Sequence, residues 1–216
     1  MLTYIIMIFP DIKLEEKLWA KGYNLVFGID EAGRGPLAGP VAAGAVAIKS
    51  DTEIIEIVRD SKKMTKKRRE EAESLIKDTV LGYGVGIVDS KVIDSIGIQD
   101  AVCRAMEDAL SKLESMIGSK ADYLIVDGLN VEQIGKYPMM KIKNGDLHHY
   151  SIACASVLAK VERDKLMLEY SKIYPEYGFE KNMGYGTKQH LEALEKYGIC
   201  DIHRRCYKPV NRFFEV

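Results

Sequence analysis

Asp30 and Glu31 stand side by side in FGIDEAGRGPLAGP, residues 27–40, directly before a stretch with glycines at 33, 35 and 39. Asp127 in YLIVDG and Asp146 in KNGD are two further acids, each at or just past the end of an apolar stretch and beside a glycine. Carboxylates gathered in one place repel one another, and divalent cations are what make such a group tolerable. Oxygen donors with no His or Cys nearby suit Mg²⁺ or Mn²⁺ rather than zinc. A pair of such ions suits hydrolysis of a phosphodiester, where both the attacking and the leaving oxygen need stabilising. Singly, each acid has a plainer reading: an Asp at a strand end is ordinarily a turn former or cap, and Asn-Gly-Asp is turn composition. The adjacent pair Asp30 and Glu31 is different, because turn chemistry accounts for one charge and hardly for two.

The glycine stretch is neither a Walker loop, since no GK[ST] follows, nor a dinucleotide fingerprint, since no helix obviously starts there. Glycines do expose backbone amide with no Cβ in the way, so a phosphate or sugar hydroxyl can approach the main chain. Arg34 between them adds a charge suited to phosphate.

These residues need a scaffold, and the chain reads as strands interleaved with helices, an α/β arrangement. Strands are expected over Leu25–Glu31, Val41–Ile48 and Leu81–Val88, over the apolar run ending at Asp127, and briefly over Met139–Lys143. Thr65 is the expected N-cap for a helix to Lys77 with Ala72, Leu75 and Ile76 on one face. The clearest periodicity runs from Ile98 to Leu113. A long helix rich in small residues follows from Ile152 to about Tyr170, and a last one from Thr187 to Tyr197 is stopped by Gly198. Strand ends in such sheets are where sites assemble, and all the singled-out acids lie at or near them.

The 216 residues fit one large domain, and 47% apolar with 29% charged residues is ordinary for a folded soluble chain. A formal net charge of −1 argues against a wholly basic nucleic-acid binder but leaves room for local patches. Two exist: Lys62, Lys63, Lys66, Lys67, Arg68 and Arg69, then His203, Arg204, Arg205 and Lys208. The first is ordinarily a solvated helix face. Cys103, Cys154, Cys200 and Cys206 form no CxxC pair, so no zinc site or disulfide framework is expected and a reducing, cytoplasmic setting is. MLTYIIMIF at residues 1–9 lacks a basic start and a cleavage site and is too short to span a bilayer; a buried edge segment is expected.

GIDEAGRGPLAGPVAA, DSKKMTKKRR, YLIVDG, ASVLAKVERD, GYGTKQH and IHRRCYKPV, in this order from about Leu25 to Val210, closely resemble type 2 ribonuclease H of the bacterial kind, the ribonuclease HII family. The resemblance implies a ribonuclease H-like fold, a central mixed sheet flanked by helices with a small helical C-terminal segment from about residue 187, in a single catalytic domain over 1–216. It implies metal-dependent endonucleolytic cleavage of the RNA strand of RNA·DNA hybrids. It also implies incision 5′ to single ribonucleotides embedded in duplex DNA, leaving 3′-hydroxyl and 5′-phosphate ends, in ribonucleotide excision during replication and repair. Motif for motif, Asp30, Glu31, Asp127 and Asp146 become the catalytic carboxylates that hold Mg²⁺ or Mn²⁺, two ions with substrate bound. Gly33, Arg34 and Gly35 would contact the ribose 2′-hydroxyl and adjacent phosphates, Tyr185 would stack on the neighbouring sugar, and Ser61, Lys62 and Lys63 would face phosphate. His148 and His149 fall in a variable stretch and read as surface residues.

Two positions depart from the family pattern. An Asn intervenes in KNGD, and Cys206 stands where serine is more usual. Asp146 lies ten residues before Ser156, which fits the family's spacing and ranks it ahead of Asp164 as fourth ligand. A noncatalytic hybrid-binding module would lack a complete acidic set, and a nonspecific DNA nuclease or resolvase would have no use for GRG together with GY. A monomer with no membrane association is expected.

Overall fold

A computed structural model describes residues 9–128 and 134–213. The expected edge segment at residues 1–9 lies outside this range except for Phe9, which is exposed. The elements that matter here are helix α1 (Lys13–Trp19), strands β1 (Val26–Ala32) and β2 (Val41–Ala47), and helix α2 (Lys66–Thr79). Strand β3 (Gly82–Val88), helix α3 (Ser90–Ile117) and strands β4 (Tyr123–Asp127) and β5 (Met139–Ile142) follow. Helices α4 (Tyr150–Ile173), α5 (Phe179–Asn182) and α6 (Lys188–Tyr197) complete the fold. The sheet has the order β3-β2-β1-β4-β5; β1 runs antiparallel to β2 and parallel to β4, so it is the mixed sheet expected.

Side chains alternate across β1. Phe27 and Ile29 join the apolar core shared with Ala101, Ala105, Ala109 and Leu113 of α3. Gly28 faces α4, where a Cβ would collide with Ser151, and Gly44 of β2 meets the Ala155 carbonyl in the same way. Small residues on both partners let α4 press directly on the sheet, and Tyr150 through Ala159 are all buried. That close approach carries the helix across the strand end where Asp30 sits.

Helix α2 covers the outer side of α4, with Ala72 and Ile76 buried against Val157 and Leu158. Thr65 caps it by accepting from the Arg68 amide, an interaction worth about 1 kcal/mol in such positions. Leu75, expected on the buried face, is instead 41% exposed. The buried stripe leans the other way, toward Glu73, whose carboxylate is ion-paired with Lys77 and Lys165. Helix α3 starts eight residues before the periodic stretch, capped by Asp89, because Gly97 at φ 82° bends it and separates a half-exposed first segment from the buried one.

The C-terminal segment packs α6, Tyr177, Phe179, Ile202 and Val210 onto Leu37, Ala38 and Met167. It therefore rests on the glycine stretch and on the end of α4. All four cysteines are free, and among the described residues no helix is long and apolar enough to cross a membrane.

Candidate active site

Strand β4 pairs with β1 in the register Ile29 to Val126, so the next step along both strands brings Asp30 beside Asp127. Asp146 follows β5 in a short 3₁₀ turn, Gly145–Leu147, and the Gly145 amide donates to Asp127 Oδ1 at 3.0 Å. One carboxylate oxygen from each of Asp30, Asp127 and Asp146 lies within 4.8 Å of the others. Three separate elements thus converge on one point, with Asp30 and Asp146 almost fully buried.

Glu31 is not among the converging oxygens. As the next residue on a strand it faces the other side of the sheet, where its carboxylate meets Arg34 at 3.4 Å. Arg34 in turn donates to Gln99 Oε1 of α3 at 2.7 Å. Glu31 remains electrically part of the group: burial raises its pKa, Arg34 opposes this, and the Asp127 charge pushes it further up.

Few donors compensate the cluster. Asp30 accepts from the Glu31 amide at 2.7 Å and from Ser156 of α4, yet burial, followed by the charges of Glu31 and Asp127, holds its pKa well above the usual carboxylate range. Asp146 is raised to about 6, first by burial, against the pull of Lys62, with Asp127 and Asp60 adding to the rise. Lys62 Nζ approaches Asp146 at 3.8 Å and is itself raised, the acids around it outweighing its partial burial. Buried, convergent, oxygen-only and short of donors, this set fits a hard divalent cation.

Ser61 is buried, its hydroxyl 3.0 Å from that of Ser156, so DSKK reaches the acids through a serine pair ending on Asp30. Lys63 points instead to Asp60, at 3.9 Å. Tyr185 is 45% exposed, and its Cε1 would stand 3.7 Å from a Cβ placed on Gly35, so the ring lies close beside the loop. His148 is exposed, and His149 is half-buried with its pKa lowered, first by burial.

Asp164, the rival fourth acid, is held by Lys160 at 2.6 Å and Arg69 at 3.3 Å and does not join the cluster. Asp146→Asn is expected to lower the cleavage rate by about 10²-fold or more, the scale set by losing one preorganised electrostatic contact. Asp164→Asn should leave the rate within a few fold and reduce stability by about 1–3 kcal/mol through its lost charged hydrogen bonds. Rate measurements and thermal melting on both variants separate the two, and a reversal would move the fourth ligand to Asp164.

Ser156, Asp60 and Gln99 were not reached as site residues from sequence. Ser156 lay inside a recognised motif, but nothing in a small-residue helix says which serine meets a carboxylate on a neighbouring strand. Arg204 and Tyr207 were also missed in this role: both engage the loop after Glu31 from the far end of the chain.

A parallel–antiparallel sheet with acids at the ends of its central strands defines a ribonuclease H-like nuclease scaffold. The crystal structure of the ribonuclease H2 from Pyrococcus horikoshii superimposes with a TM-score of 0.72 at 26% identity, over 89% of this chain and 100% of that one. The model of the family Ribonuclease HII matches residues 27–210. Ribonuclease HII of Caldicellulosiruptor bescii is 51% identical over 193 residues, covering 89% of this chain and 90% of that protein. Ribonuclease HII of Acholeplasma laidlawii is 45% identical over 209 residues, 97% and 100% of the two chains. The chain belongs to the ribonuclease HII family. It is an endoribonuclease with RNase H activity on RNA·DNA hybrids.

Proposed function

We propose that this enzyme also incises duplex DNA on the 5′ side of a single embedded ribonucleotide, leaving 3′-hydroxyl and 5′-phosphate ends, in ribonucleotide excision. The observation that carries the reading is Tyr185, exposed and close against Gly35 of a loop that begins two residues after Glu31. The half-exposed ring offers a face to stack on a sugar, and the loop beside it offers backbone polar groups to a 2′-hydroxyl. Recognition of one hydroxyl needs one ribonucleotide and no run of RNA. The 2′-hydroxyl of the ribonucleotide can attack only the phosphate on its own 3′-oxygen, so cleavage on the 5′ side takes water as the nucleophile and expels the upstream 3′-oxygen.

Asp30, Asp127 and Asp146, with Glu31 from the opposite face, would hold Mg²⁺ or Mn²⁺, two ions with substrate present. When bound there, the cations supply charge neutralisation and activation of water at the scissile phosphate. The chain's own part is positional. Ser156 fixes Asp30 and the Gly145 amide fixes Asp127. Lys62, its head exposed beside Asp146, is placed to meet substrate phosphate, with Ser61 and Lys63 flanking it. The reading takes the chain as one catalytic domain, a monomer acting in the cytoplasm. EDTA should abolish hybrid cleavage and added Mg²⁺ or Mn²⁺ restore it; undiminished cleavage in EDTA would remove the cluster from the chemistry.

A further inference from the structure

Arg204 is fully buried, and its guanidinium spends its hydrogen bonds on one neutral loop. It donates to the carbonyls of Gly33 (2.6 Å), Arg34 (2.9 Å), Gly39 (3.0 Å) and Pro40 (3.0 Å), and to the Tyr207 hydroxyl (3.3 Å). The Tyr207 hydroxyl donates to the Arg34 carbonyl at 2.7 Å. No carboxylate is among these partners. Isolating a cation this way is costly, and burial accordingly lowers the pKa of Arg204. Arg163 beneath the same loop repeats the pattern, donating to the carbonyls of Pro40, Ala38 and Met183, also fully buried.

The direction of the peptide units is what this arrangement fixes. In a trans peptide the carbonyl of one residue and the amide N–H of the next point opposite ways. Drawing the Gly33 and Arg34 carbonyls inward onto Arg204 and Tyr207 therefore turns the N–H groups of Arg34 and Gly35 outward. Among the described residues neither N–H donates to a protein acceptor. Two outward amides backed by a buried positive charge make a concavity for an oxygen-rich ligand.

We propose that Arg204, assisted by Tyr207, is the positioning residue for ribonucleotide recognition: it orients the Arg34 and Gly35 amides toward the sugar and its phosphate without touching either. The inference rests on the proposed recognition of a single ribonucleotide by this loop. It predicts a selective defect. A substrate held by one 2′-hydroxyl depends on the loop's aim, whereas a long hybrid is gripped along its length and tolerates a misaimed amide.

The experiment compares kcat and KM on a DNA duplex with one ribonucleotide and on a long RNA·DNA hybrid, for wild type, Tyr207→Phe and Arg204→Lys, with thermal melting of each. Tyr207→Phe removes one hydroxyl and keeps the ring, so it should fold as wild type. It should raise KM for the single-ribonucleotide duplex about 5-fold or more while changing kcat/KM on the hybrid less than about 2-fold, the scale of the one hydrogen bond it loses to the loop carbonyl. Arg204→Lys keeps the charge but loses the planar fork. It should show the same selectivity more strongly, about 30-fold against less than about 5-fold. Equal losses on both substrates, or none on either with Tyr207→Phe, would overturn the inference, and Tyr207→Phe decides the matter if Arg204→Lys does not fold. Wild type that cuts all-DNA duplex as fast as the ribonucleotide-containing one would instead overturn the recognition reading itself.

Discussion

Asp127→Asn is expected to reduce hybrid cleavage by at least about 10²–10³-fold while hybrid affinity stays within a few fold. The rate effect follows from removing a charge at the point where three acids converge, the scale on which a lost preorganised electrostatic contact acts. Affinity should persist because the proposed substrate contacts are made by cationic and backbone groups, and Asp127 is neither. The fold should persist as well: an asparagine Oδ1 can still accept from the Gly145 amide, so the link between β4 and the turn carrying Asp146 survives. In EDTA the variant should melt at or above the wild-type temperature, since the Asp127 charge pushes up both Asp30 and Asp146 and its loss relieves that repulsion. Single-turnover cleavage, fluorescence anisotropy in EDTA and calorimetry check the three statements. Cleavage near the wild-type rate in Mg²⁺ would remove Asp127 from the metal site.

DNA duplex without any ribonucleotide should be cut at least about 100-fold more slowly than the same duplex with one. A site built to bond a hydroxyl leaves its polar groups unpaired when the hydroxyl is missing, at about 1–3 kcal/mol for each buried group, so two such groups together account for a loss of about 100-fold or more. Gly35→Ala tests the same contact from the protein side. Gly35 has no positive φ, and a Cβ there meets only Tyr185 Cε1 at 3.7 Å, ordinary contact. The variant should therefore melt as wild type yet lose most of its activity on the single-ribonucleotide duplex, because the methyl stands between the Tyr185 ring and the loop's backbone groups, where the proposed sugar contact is made. Gly33→Ala is the contrast: at φ 96°, with Arg163 where the Cβ would go, it should cost stability. A Gly35→Ala enzyme of normal activity would place the sugar elsewhere.

Much of this was readable because regular elements announce themselves. The apolar run before Asp127, the small-residue helix after Asp146 and the strand before Asp30 each carried a pattern that survives in the structure as β4, α4 and β1. The acids at their ends were legible by position. Their orientation was not: that Glu31 turns to Arg34 while Asp30 turns to Ser156 depends on which sheet face each helix covers. Leu75 failed for a related reason, since charges at Glu73, Lys77 and Lys165 shifted the buried stripe of α2. Arg204 was least accessible. In sequence it is one cation in a basic group, and only the fold reveals a contact with a loop 170 residues earlier.

The most direct measurement uses a labelled DNA duplex carrying one ribonucleotide, incubated with enzyme and Mg²⁺, the cut mapped on a sequencing gel and the product ends identified. The predicted result is one incision, 5′ to the ribonucleotide, giving a 3′-hydroxyl upstream and a 5′-phosphate on the ribonucleotide, and no cleavage in EDTA. A 2′,3′-cyclic phosphate end, or cutting of the matching all-DNA duplex at a comparable rate, would contradict the account.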